Sequence, residues 1–204
     1  SPKIGMMFRG SLIFYGIIFA VTFSVALFFF MLSFFHKQSS FVIWFALTSM
    51  VLGLRGIFFY PHIFVILFPD SSWWFNFIMR YVSVPLPIIL FTVFLSKSLK
   101  LKYRIPYILI LSVSILYAIS TIVLPPKVSV FLLIYYQCFA IFCVIYIIVI
   151  SIIGLKKKRE LSAWIFTATS VLFLFGVYDL MIALGFITGE FMIQIGTVFA
   201  VIIL

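Results

Sequence analysis

Seven apolar stretches, separated by short polar breaks, run through the chain at about 11–35, 41–60, 72–96, 105–124, 128–155, 162–185 and from 191 onward. Each of the first six is at least as long as the roughly 20 residues a helix needs to cross about 30 Å of hydrocarbon. The breaks carry helix-end signals: Pro126 suits a first helical turn, and Gly154 and Gly185 suit helix stops. Pro85 and Pro87 fall inside the third stretch, where they interrupt the hydrogen-bond ladder and predict a bend. The stretch 62–68, between Pro61 and Pro69, either extends the second helix or lies in the interface beside Trp73 and Trp74, which read as headgroup-level anchors. No repeat, low-complexity tail or soluble domain interrupts the pattern. The expected fold is all-α: a polytopic seven-transmembrane helix bundle over 11–204 with a short flank at 1–10. The seventh stretch has 14 residues here, about 21 Å of helix. Together with a first residue that is not Met, this leads us to expect a larger parent protein.

Composition agrees with that pattern. Hydrophobic residues make up 66% of the 204, charged residues 9%, and the mean hydropathy is +1.38. A soluble domain carries about 25% charged residues, so there is too little polar surface here for a water-soluble fold.

Charge supplies orientation. Lys37, Lys97, Lys100, Lys102, Arg104, Lys156, Lys157, Lys158 and Arg159 share one side of the alternating topology, and only Lys3, Arg9 and Lys127 share the other. Short loops rich in Lys and Arg stay cytoplasmic, so nine against three predicts the N-terminus outside and the C-terminus inside. The net charge of +10 therefore reads as topology, with the bilayer as partner and no nucleic acid.

Three ionisable residues remain within the spans: Arg55, Arg80 and Asp179. Each costs about 2.5–3.5 kcal/mol at mid-bilayer on insertion scales, which argues against unpaired, lipid-facing positions. Counting from the span ends places all three in the outer half, where Asp179 can neutralise one arginine. Asn76, Arg80, Ser83 and Pro87 fall at i, i+4, i+7 and i+11, one face of a helix. Gln137 sits at a similar depth, with Glu190 and Gln194 near the outer mouth. This cluster is either a structural lock between helices or a ligand pocket or switch. The heavy aromatic content, including Phe28, Phe29 and Phe30, reads as packing.

Catalytic chemistry is not legible. The spans hold no Ser/His pair, no paired aspartates and no lysine for a Schiff base. Cys138 and Cys143 lie five positions apart in one apolar run, and His36 and His62 each stand alone, so neither a disulfide framework nor a metal site is expected. No cofactor and no enzyme activity is expected of these residues.

Several segments resemble the transmembrane domain of bacterial seven-transmembrane receptors with diverse intracellular signalling modules (7TMR-DISM). They are Phe14–Tyr15–Gly16 opening the first span, Leu54–Arg55 late in the second, Arg80–Tyr81 with Pro85 in the third, and the run from Tyr178 and Asp179 through Gly185 to Ile187. The resemblance implies a multi-pass sensor in the cytoplasmic (inner) membrane of a bacterium. It would take a small-molecule or ectodomain-presented ligand on the outer side and work as a homodimer through a cytoplasmic effector domain in cis. A transporter or permease subunit using the Arg/Asp cluster is the alternative, although no two matching halves with broken helices are visible. A membrane anchor without a ligand is the third reading.

Overall fold

The computed structural model describes residues 2–35, 40–59, 69–98, 104–156, 162–183 and 193–203, with side chains for all of these except 2–12, 14, 15, 40, 59, 104, 105, 179, 180, 183, 193, 194 and 197. The described residues form eight helices and no strand: α1 Pro2–Phe35, α2 Ser40–Phe59, α3 Trp73–Val82, α4 Pro85–Ser98, α5 Arg104–Val123, α6 Pro126–Lys156, α7 Ser162–Ala183 and α8 Ile193–Ile203. Where backbone groups have no water to bond, helices satisfy them internally. Among the described residues, five spans are long and apolar enough to cross a bilayer: Gly16–Phe35, Phe41–Phe58, Trp73–Ser98, Pro106–Val123 and Pro126–Lys156. Ser162–Tyr178 forms a shorter apolar helix. The exterior is correspondingly oily, with Phe34 86% exposed, so lipid must cover it.

Helix ends follow local chemistry. α1 starts at Pro2, ahead of the expected residue 11, because the polar flank is compatible with helix even where it is not apolar. At about 1.5 Å per residue its 34 residues make about 51 Å, well beyond the hydrocarbon thickness. The third span is two helices. Ser72 caps α3 by accepting the Phe75 N–H at 3.2 Å. Before Pro85 the chain makes a turn, with the Ser83 N–H on the Met79 carbonyl at 3.1 Å and the Val84 N–H on the Tyr81 carbonyl at 3.2 Å. Pro85 cannot donate, and the expected bend is thus a break at Ser83–Val84. The stretch 62–68 lies outside the described residues.

Successive spans pack as neighbours: α1 on α2, α2 on α4, α4 on α5, α5 on α6, α6 on α7 and α7 on α8. α8 returns to α1 and closes the ring, while α3 lies against α2, α4 and α5. Chain alternation puts the end of α4 beside the start of α2, where the Lys97 ammonium stands 5.2 Å over the Trp44 ring. This end, which also carries Lys156, is the basic end of the bundle.

The main apolar core lies toward that end. Phe45, Phe94, Leu95, Ile147, Ile150, Ile165 and Val201 form it, drawn from five helices. Small residues let backbones approach elsewhere, as is common in membrane bundles. A side chain at Gly53 on α2 would collide with Oγ1 of Thr22 on α1 and come within 3.2 Å of its Cβ. A Cβ at Gly196 on α8 would lie 2.7 Å from Cδ2 of Phe175 on α7. Buried hydroxyls are mostly absorbed locally. Thr22, Thr48, Thr92, Ser151 and Thr169 each donate to the carbonyl four residues back, at 2.8, 2.7, 2.6, 2.8 and 2.6 Å.

Candidate functional site

Away from the basic end, the interior becomes polar. Tyr117 on α5 and Tyr136 on α6 are 5% and 3% exposed, and their rings stack with centroids 4.3 Å apart and planes 11° from parallel. α5 reaches this level through a polar stripe in an otherwise apolar helix: Ser114, Tyr117 and Thr121 follow one another at i, i+3 and i+7. The Ser114 and Tyr136 hydroxyls share a buried hydrogen bond of 3.0 Å between α5 and α6. Thr121 donates to the Tyr117 carbonyl at 3.0 Å. The Tyr117 hydroxyl is buried beside Thr121 without an aligned hydrogen-bond partner of its own.

Arg55 brings charge to the tyrosines. It sits late in α2, half-buried, with its Nε fully enclosed. Both Tyr117 and Tyr136 lie within electrostatic reach of its guanidinium. In a low-dielectric interior such an interaction is far stronger than in water.

α3 connects this interior to the far end of the bundle. Its aromatic residues follow one another inward: Trp73 and Trp74 stack on Phe77 at 5.5 and 5.7 Å, and Phe77 meets Tyr81 at 4.5 Å. Trp73, Trp74 and Phe75 are exposed, whereas Phe77 is buried. Arg80 is half-buried in the last turn of α3, and its carbonyl accepts from the Ser83 hydroxyl at 2.8 Å.

The expected residues are therefore distributed unevenly. Arg55 lies within electrostatic reach of the tyrosine pair, and Arg80 precedes Tyr81 at the end of the α3 aromatic row. Asn76 is half-buried on the first part of α3, and Gln137 is half-buried next to Tyr136. Asp179 has its backbone in α7, whose principal neighbours are α6 and α8. Its side chain, that of Gln194 and the whole of Glu190 lie outside the described residues, and so does the expected Arg–Asp pairing. Tyr117, Tyr136, Ser114 and Thr121 were not anticipated as site residues. Their sequence signal was the hydroxyl stripe on α5. Cys138 is exposed and Cys143 buried, and both are free thiols.

Comparison with known proteins is selective. Nothing among curated proteins and nothing among solved structures matches this chain. A family model described as 7TM diverse intracellular signalling matches residues 11–204, so the chain belongs to the 7TMR-DISM transmembrane family, a family of membrane sensors and receptors.

Proposed function

We propose that this chain is the transmembrane relay of a receptor, carrying a signal from the end that holds Arg55, Tyr117 and Tyr136 to an effector attached beyond α8. The observation that carries the reading is a half-buried arginine in the same part of the bundle as two buried, stacked tyrosines, in a chain of this family. Such a residue is expensive in a span unless its partners offset the cost, and its partners are what a signal can change.

The basic end faces the cytoplasm of a bacterium by the positive-inside rule, which puts the N-terminus and the tyrosine cluster toward the outer side of its inner membrane. A small molecule, or a ligand presented by an ectodomain, acts on α3 at that side. α3 is separated from α4 by the break at Ser83–Val84 and touches both α2 and α5. Its displacement shifts Tyr81 against Tyr117 and alters how Arg55 and the phenols share their interactions. The response is a two-state helix rearrangement passed through α8 to a cytoplasmic module, within a homodimer. The chain itself performs no catalysis, so any enzyme activity belongs to that module.

Output from the full-length receptor tests the reading. Arg55→Gln, Asp179→Asn and Tyr117→Phe should each insert and fold normally, yet shift basal output or the inducer dose–response by about fivefold or more, a typical coupling energy. Wild-type output from all three, at wild-type protein levels, would refute it.

A further inference from the structure

α1 and α2 pack on one another as an antiparallel pair. Two contacts fix their relative level: Ile18 packs against Ile57, and the Phe29 and Phe45 rings meet edge to face at 4.8 Å. Between those points, equal rise on the two helices sets Thr22 at Gly53 and Ala26 at Ser49. The first of these pairs is a direct contact, since a Cβ at Gly53 would come within 3.2 Å of the Thr22 Cβ.

One group in this seam is left over. Ser49 is 0% exposed, and its Oγ has no hydrogen-bond partner among the described residues. The hydroxyl beside it in sequence, on Thr48, folds back onto the Trp44 carbonyl at 2.7 Å. Ser49 makes no such bond, and Ala26, the buried side chain level with it, has no polar atom to offer.

Moving α1 toward the basic end by four residues, about 6 Å, changes what faces Ser49. Thr22 takes the place of Ala26. Ile18, branched at Cβ like Thr22, takes the seat over Gly53. Val25 comes level with Ala46, and Phe29 with Val42. The Ser49 hydroxyl then donates to Oγ1 of Thr22, which keeps its own bond to the carbonyl of Ile18. Movement the other way brings Phe29 or Phe30 level with Ser49 and leaves the hydroxyl against a ring.

We infer that α1 has two registers on α2, the observed one and a second about one turn nearer the basic end, held by a Ser49–Thr22 hydrogen bond. Packed helices do switch by one-turn ratchets. The movement uses neither α3 nor the tyrosine pair, so it goes beyond the relay proposed above and stands or falls without it.

Disulfide trapping in the full chain in nanodiscs, with C138A/C143A removing the native thiols, tests the inference. Disulfides need Cβ atoms about 3.5–4.5 Å apart, so each pair of cysteines reports one register. A26C/S49C, level in the observed register, should close. T22C/S49C, a turn out of level there, should close as well, because the second register brings it together. T22C/A46C, level in neither, should stay reduced. V25C/A46C also reports the second register and leaves Ser49 and Thr22 in place. Adding Ser49→Ala to it should slow closure about threefold, the worth of one hydrogen bond between helices in a membrane. V25C/A46C gives the reading of register by itself if T22C/S49C does not fold. If A26C/S49C closes while T22C/S49C and V25C/A46C stay reduced, α1 has a single register and the inference is overturned. Closure of T22C/A46C as fast as T22C/S49C would overturn it in favour of a loosely sliding helix. Unchanged closure of V25C/A46C on adding Ser49→Ala would overturn the part given to the Ser49 hydroxyl.

Discussion

Phe45 and Phe94 near the basic end, and Tyr117 and Tyr136 toward the other, are both buried ring pairs between neighbouring spans. The phenylalanines meet at 5.5 Å with their planes tilted by 45°, among Leu95, Ile147 and Ile150. The tyrosines stack at 4.3 Å, nearly parallel, with the Tyr136 hydroxyl bonded to Ser114 and the Arg55 charge in reach. Lipid tails are as apolar as a phenylalanine core, so the first pair is held chiefly by shape. The second pair carries hydroxyls, one bonded across to Ser114 on the neighbouring helix, whose bonding depends on how α5 and α6 sit. One half of the bundle is a filler that defines geometry. The other half holds a hydrogen bond between helices that a shift of either helix would change.

Substitutions can break this contrast. The largest effect should come from Phe94→Ala. In a bilayer the transfer part of the loss shrinks and the cavity part stays, which leaves about 2–3 kcal/mol. Reversible unfolding in mixed micelles should show it, while output per folded molecule stays unchanged. Gly53→Ala comes next. The added methyl must displace Thr22, at about 1–3 kcal/mol for overpacking, visible as a lower melting temperature. A double-mutant cycle of Ser114→Ala with Tyr136→Phe should give a coupling of only about 0.6 kcal/mol, the usual size of an interhelical hydrogen bond in membranes. The same pair should nevertheless move the dose–response. If it costs as much stability as Phe94→Ala and leaves signalling intact, the division of labour fails. Of similar size, Lys97→Gln should cost about 0.5–1 kcal/mol, the worth of an exposed cation over an indole, with no change in output.

The spans were legible because bilayer thickness imposes a length and because polar residues mark their ends. The fourth stretch, expected at 105–124, is observed as Arg104–Val123, bracketed by an arginine and Pro125. The start of α1 was not legible in the same way. Hydropathy reports where oil begins, whereas helix continues wherever backbone bonding allows, as it does back to Pro2. At the site, Arg55 and Arg80 were visible because charge in a span is costly. Tyrosine carries no such flag: among 10 tyrosines, Tyr117 and Tyr136 differ from the exposed Tyr135 only in what faces them. The Tyr136 hydroxyl finds Ser114 at 22 positions' separation, a pairing set by how α5 and α6 pack and absent from any local pattern.

The seat of Thr22 at Gly53 also bears on how force can travel. Gly53 belongs to a row of small, buried residues on α2, with Gly56 one turn after it and Ser49 and Ala46 one and two turns before. A slide of α1 by about one turn along its axis would bring Thr22 level with Gly56 or with Ser49, where small residues again leave room. The first two spans therefore meet on a rail with spaced notches, and a pull on the N-terminal end of α1 has discrete positions to stop at.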